Sequence, residues 1–413
     1  MFGLALTVEF IASATLVTSN SVPKGKTVAP TAPIILVPGD GGSQIEAKLD
    51  HKPTVVHYWC SKTTSGYFSL WLNLELFTPL AIGCFSDNMR LVYDNATRTT
   101  TNAPGVLTRV PGFGDTSTVE VLDSGERWLT KYFGTVVSAA VGWGYERGKD
   151  IRGAPFDFRK APNEFSAYYE ALKGLIEDTY RQNEHKKVVL VAHSMGVPTV
   201  AIFLNRQTQH WKDTYIKSFV TIGGPLGGAV KIMKLFASGY NLDLWPRILE
   251  PVKLRIFQRT MTSSSFLVPS ADYWASNETL VMTASKNYTV ANFREFFLDI
   301  GFPTGWEMVQ DTSHLLRQIS APGVDVHCLH GVGLPTPSMY VYASGQFPDG
   351  IPAQVSGGGD STVNLRSLQS CKKWREPLHA AGKHFHYQTF DGGDHLNLLN
   401  EQRLVDYLKN NVL

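Results

Sequence analysis

Apolar residues in this chain recur in short unbroken runs that stop at glycines, and between them lie stretches of helical period. Residues 33–42, PIILVPGDGG, form such a run, ending in glycines at 39, 41 and 42. A strand buried on both faces of a parallel sheet reads this way. In residues 67–80, YFSLWLNLELFTPL, one stripe holds Leu70, Leu74 and Phe77 with Trp71 beside it, which predicts a short amphipathic helix over 71–80. Residues 133–144 and 167–182 have helical patterns, separated by a strand and loop in GKDIRGAPFDFR. In 187–204, KVVLVAHSMGVPTVAIFL, five apolar residues from Val188 to Ala192 make a buried strand. A tight turn follows at His193-Ser194-Met195-Gly196, then an apolar helix. Pro198 is tolerated there because it falls in the first helical turn, where its missing N–H costs little. Another strand, SFVTIGG, ends at Gly223-Gly224. Residues 230–320 lose the alternation and carry scattered aromatics, so they are expected to insert as a cap over the core. Strand signals return at 324–332 and 386–390. Strands alternating with helices predict an α/β fold with a mostly parallel sheet covered on both faces.

The turn at Ser194 carries chemistry. A serine hydroxyl needs a base in hydrogen-bond range, a group to orient that base, and donors for the oxyanion. Strand–Ala-His-Ser-Met-Gly–helix has the form of a nucleophile elbow, with Ala192 where glycine is usual. The bland alternative is a tight turn that happens to contain serine. In this fold the acid and the histidine follow the serine in that order, on loops after late strands. Asp360 in GGGDSTV and His395 in FDGGDHLNLL occupy those places. Asp391 and Asp394 are too close to His395 along one loop to reach behind its ring, and His193 points to the other side of the elbow. The expected triad is Ser194, Asp360 and His395. Its oxyanion donors are the backbone N–H of Met195 and one near Asp40, although an ordinary glycine turn explains residues 39–42 equally well.

Composition narrows the setting. Hydrophobic residues are 43% and charged residues 18%, ordinary for a globular protein. A formal charge of +2 with no Lys/Arg cluster leaves no nucleic-acid footprint. The 12 histidines set an upper bound of +14 in an acidic compartment. No run of 18 apolar residues occurs, which argues against a transmembrane helix. Residues 1–20 read either as a signal peptide, interrupted by Glu9 and lacking a leading cation, or as a disordered tail. Four cysteines, Cys60, Cys84, Cys328 and Cys371, permit two disulfides in three pairings and have no zinc-site spacing. Acceptor sequons at Asn95, Asn277 and Asn287 add to the case for the secretory route. The 71–80 segment is either core or a surface presenting Trp and Leu to an interface.

LVPGDGGSQIEAKLD (36–50), WLNLEL, GWGYERGKDIRGAPFDFR (142–159), VAHSMG and GGGDSTV resemble the lecithin–cholesterol acyltransferase family, from about residue 33 to the C-terminus. Within it the chain is most similar to the lysosomal phospholipase branch. The resemblance implies an α/β-hydrolase fold over 33–413 and a cap at about 230–320. It also implies a membrane-binding subdomain at about 55–115, with Leu70, Trp71, Leu72 and Leu74 as its contact residues. The triad above, the disulfides Cys60–Cys84 and Cys328–Cys371, and the absence of metal and cofactor follow from it as well. Asp40 matches an acidic residue of the lysosomal branch, where the plasma sterol-esterifying branch has cysteine. GGGDSTV stands for GDGDGTV, and Ser43 and Val197-Pro198 stand for asparagines. These departures bear on fine specificity. The expected function is a lumenal phospholipase A and O-acyltransferase in the lysosome, alternatively secreted. It would act peripherally on phospholipid membranes, anionic ones favoured, and pass acyl chains to water or to lipid alcohols such as ceramide. The rivals are a secreted phosphatidylcholine–sterol acyltransferase, a neutral-lipid lipase, and an inactive lipid-binding protein of the same fold.

Overall fold

The buried apolar runs assemble into one sheet. The computed structural model describes residues 32–241 and 250–413; the expected signal segment at 1–20 and the 242–249 part of the expected cap lie outside the described residues. Six strands pair in parallel: β1 (Ile34–Val37), β2 (Ile151–Gly153), β3 (Val188–His193), β4 (Ile216–Ile222), β5 (Asp325–Val332) and β6 (Phe385–Asp391). Their spatial order is β6-β5-β4-β3-β1-β2. β1 and β3 are buried at every position, as expected of central strands with helices on both sides. One side packs around Leu190, Phe203, Phe219 and Val326, the other around Leu36, Val191, Val220 and Leu329. Helices Gly134–Gly142, Ser166–Gln182 and Gly196–Asn205 fall on the patterned segments.

Three smaller sheets surround this core. The strands Ile45–Leu49, Phe68–Trp71 and Val106–Arg109 form one, and Leu91–Asp94 pairs with Thr99–Asn102 in another. The third joins Val281–Met282 and Asn287–Tyr288, from the aromatic-rich insertion, to a hairpin of Leu334–Val341 and Ala353–Gly359. That hairpin is absent from the sequence reading, and it carries Asp360 at its end. The segment expected to insert as a cap also contains helices Pro251–Gln258, Phe293–Asp299 and Pro303–Arg317. Cys60 is bonded to Cys84 and Cys328 to Cys371. Asn95, Asn277 and Asn287 are all exposed.

The amphipathic helix expected over 71–80 is not formed. Residues 68–71 are a strand, followed by a single 3-10 turn at Leu74–Phe77. Leu70, Trp71 and Leu72 are buried, Trp71 being only 5% exposed, so they are core and not membrane contacts; Leu74 is half-buried against the same core. The physical reason is the indole. Its Nε1–H donates to the Gly41 carbonyl at 2.8 Å, and its ring packs on Phe77, Phe85 and Phe158. A tertiary partner for that donor outweighs local helical period. Beside the first disulfide, Val56, Tyr58 (92% exposed), Trp59 and Leu80 (72% exposed) do reach solvent, as Trp128 and Ile351 do elsewhere.

Candidate active site

β3 ends at His193, and the chain then turns through Ser194, whose φ of 52° is left-handed. A non-glycine residue is rarely held there, and a strained turn of this kind lifts the side chain off the strand end. Close packing keeps it in place. A Cβ on Gly39 would sit 2.6 Å from that of Ser194, and one on Gly196 would sit 2.4 Å from the Pro38 carbonyl oxygen. Both positions need glycine because the elbow and the β1 loop press backbone against backbone.

The structure brings the three residues of the expected triad together. His395 Nε2 lies 2.9 Å from Ser194 Oγ, and His395 Nδ1 lies 2.8 Å from Asp360 Oδ2. Nδ1 faces a carboxylate, so it carries the ring proton, and Nε2 is left to accept from the serine hydroxyl. Asp360 is fully buried, and its other oxygen accepts from the N–H groups of Val363 and Thr362. The His395 N–H donates to the Asp360 carbonyl at 2.8 Å, joining the acid and base loops through the backbone as well. Gly223 (φ +60°) makes room, since a Cβ there would lie 3.1 Å from His395 Nδ1. Asp394 takes no part in orienting the ring. One oxygen caps the N–H groups of Leu396 and Asn397, and the other accepts from Ser361 Oγ.

Around the serine, neither the Met195 nor the Asp40 N–H has an acceptor among the described residues. Both belong to the turns flanking Ser194, where an ester oxygen would develop charge. Asp40 opens onto solvent, yet protein surrounds it closely enough that its carboxyl is pushed up to about 7, the Gly41 N–H pulling weakly the other way.

The sequence reading missed Tyr132, and it gave His193 no role, beneath the site. Tyr132 and His193 are both buried and hydrogen-bonded to each other. His193 does turn to the far side of the elbow, and there its Nε2 bonds the main-chain oxygen of His395 at 2.9 Å. No local pattern marks Tyr132, which reaches the site from 61 residues away. The exposed Tyr58-Trp59 pair was also missed. Its signal was three ring-bearing residues, His57-Tyr58-Trp59, directly before Cys60 in a stretch with no period.

A parallel sheet whose central strand ends in a strained serine elbow, with acid and histidine on later loops, defines an α/β-hydrolase. Comparison with known proteins is more specific: the chain belongs to the lecithin:cholesterol acyltransferase family, whose model matches residues 67–402. It is 47% identical to the lysosomal phospholipase A and acyltransferase of Rattus norvegicus over 381 residues, 92% of this chain and 90% of that one. The Homo sapiens protein of that name matches to the same extent. Phosphatidylcholine-sterol acyltransferase of Gallus gallus is 41% identical over 92% of this chain and 90% of its own length.

Proposed function

We propose that this chain is a serine phospholipase A and O-acyltransferase, acting at the surface of phospholipid membranes in an acidic lumen, the lysosome before the extracellular space. The observation that carries the reading is the continuous Ser194–His395–Asp360 hydrogen-bond chain beside two backbone donors without an acceptor among the described residues. As Ser194 Oγ bonds to the ester carbonyl carbon, its proton passes to His395 Nε2. The oxyanion is held by the N–H groups of Met195 and Asp40, and Asp360 supports the imidazolium. Collapse breaks the bond to the glycerol oxygen, which takes the proton from His395, and a lysophospholipid leaves. Water or a lipid alcohol such as ceramide then gives its proton to His395 and attacks the acyl-serine; the acyl bond to Ser194 Oγ breaks, the serine oxygen takes that proton back from His395, and fatty acid or a new ester is released. None of these steps needs a metal or a cofactor. Greater identity to the lysosomal relatives than to the sterol-transferring one, and Asp40 beside the oxyanion, favour this reading over a sterol acyltransferase.

Docking is assigned to Val56, Tyr58, Trp59 and Leu80 on the loops clipped by Cys60–Cys84. Trp59 already satisfies its own donor on the Leu80 carbonyl at 3.0 Å and stacks on His57. Its ring can therefore enter lipid without stranding a polar group. The test is product analysis on vesicles of phosphatidylcholine, anionic phospholipid, ceramide and cholesterol at pH 5 and pH 7.5. The reading expects free fatty acid, lysophospholipid and acylated ceramide, formed faster in acid. Transfer to sterol in preference to ceramide, or no turnover at all, would overturn it.

A further inference from the structure

Beneath the proposed site lies a buried chain of hydrogen bonds that the reaction described above does not use. The Gly39 N–H donates to Tyr132 Oη at 2.9 Å, Tyr132 Oη bonds His193 Nδ1, and His193 Nε2 bonds the His395 carbonyl oxygen at 2.9 Å. The partners settle the direction of every proton. A carbonyl only accepts, so His193 Nε2 carries the hydrogen; Nδ1 is then an acceptor, and the Tyr132 hydroxyl must donate to it. That leaves the tyrosine oxygen free to accept from Gly39. All three donors and all three acceptors are satisfied in one arrangement.

Each end of the chain holds one part of the proposed machinery. At one end, Gly39 is held twice: its N–H by Tyr132, and its C=O by the Gly42 N–H at 3.0 Å. That C=O belongs to the same planar peptide as the Asp40 N–H and points opposite to it. Fixing Gly39 on both sides therefore aims the Asp40 donor. Gly42 leaves the space required, since a Cβ there would lie 2.8 Å from Tyr132 Oη. At the other end, the His395 backbone is also held twice, its N–H by the Asp360 carbonyl and its C=O by His193. We infer that Tyr132 and His193 are positioning residues, a rigid relay that sets the oxyanion donor at Asp40 and the catalytic base at His395 relative to each other.

The relay requires a neutral His193, because a second ring proton at Nδ1 would oppose the tyrosine hydroxyl. The titratable groups around it are Tyr132, His395 and Asp360, and burial is the dominant influence, pushing its pKa down to about 3. The relay thus stays intact in the acidic lumen proposed for this chain.

The inference rests on the serine-hydrolase reading, and the test separates the two. Kinetics are measured on a soluble short-chain ester with the whole protein. Tyr132→Phe removes one oxygen and keeps the ring against Phe133 and His193. It should lower kcat about tenfold to a hundredfold, less than the ~10²–10³ expected for deleting an oxyanion donor itself, with KM within about twofold. His193→Asn keeps an acceptor where Nδ1 sits but cannot reach the His395 carbonyl, whereas His193→Gln reaches the carbonyl and loses that acceptor. Adding Tyr132→Phe should therefore cost a further tenfold or so in the Asn background and clearly less in the Gln background, where only the bond from Gly39 is left to lose. A wild-type kcat in Tyr132→Phe overturns the relay, as does an equal extra loss in both backgrounds. If the His193 variants fail to fold, the kcat-against-KM split of Tyr132→Phe decides alone. Retained turnover in Ser194→Ala would instead remove the hydrolase reading, whatever Tyr132 does.

Discussion

Replacing Asp40 with asparagine tests whether one side chain gives the chain a preference for acid. The carboxyl shares its residue with a proposed oxyanion donor, which holds the two within a few ångströms. Like charges about 5 Å apart at an effective dielectric of ~20 repel by about 3 kcal/mol, roughly a hundredfold in rate, so the ionised form is effectively silent. With its pKa pushed up to about 7, Asp40 is half ionised at pH 7, and the ionised fraction at pH 5 is about one in a hundred. At pH 8 only about a tenth of the molecules keep it neutral. Activity on a soluble ester should therefore fall about tenfold between pH 5 and pH 8 in the wild type. Asp40→Asn should remove most of that fall.

Stability offers an independent readout. A carboxyl whose folded pKa lies above its unfolded 3.8 favours the folded state most below pH 3.8, and that contribution is lost as pH rises through about 7. Asp40→Asn should then melt higher than wild type at pH 8, with the gap closing by pH 4. An alkaline limb unmoved by the substitution on a soluble ester would refute the argument, and any acid preference on vesicles would have to come from docking.

Three other outcomes are expected. Ser194→Ala should abolish turnover and fluorophosphonate labelling while vesicle binding, measured by co-flotation, stays near wild type. Replacing Tyr58 and Trp59 together with serine should weaken vesicle binding about tenfold or more and slow hydrolysis of bilayer lipid, with the soluble-ester rate unchanged. Trp71→Ala should behave differently, costing about 3–5 kcal/mol of stability and lowering both bilayer and soluble-ester rates together, because the indole braces Gly41 in the oxyanion loop. A loss confined to bilayers would return Trp71 to the docking surface.

The elbow and the triad were legible because each step in them is local. A buried strand must end in a small-residue turn to expose Ser194, and chain order then restricts the acid and the histidine to two late loops. What was not legible depends on partners far along the chain. The stripe at 71–80 satisfies helical period, but the donor on Trp71 finds Gly41, and a strand results. The hairpin behind Asp360 was hidden by Pro335, Pro337 and three glycines, residues that ordinarily mark loops. The structure tolerates those prolines where the strand has a neighbour on one side only, since its second partner pairs just at Tyr340 and Val341. Tyr132 gave no pattern at all, and the place of His193 on the far side of the elbow did not show what it bonds, because a relay needs one atom from each of several distant turns.

The departure from the family's glycine after the acid illustrates how such partners change a reading. From the motif alone, GGGDSTV loses the residue best able to take a left-handed turn. In the structure Ser361 adopts φ +79° nonetheless, and it is fastened there on two sides. Its N–H donates to Thr336 Oγ1 at 2.9 Å, and its hydroxyl donates to Asp394 on the histidine loop. A left-handed serine costs about 1 kcal/mol or more in backbone strain, and a charge-assisted hydrogen bond is of the size needed to offset it. Glycine would remove the strain and the cross-tie together. The substitution therefore exchanges conformational ease for a second link between the loops that carry Asp360 and His395, and the Ser194 to His395 distance of 2.9 Å is kept.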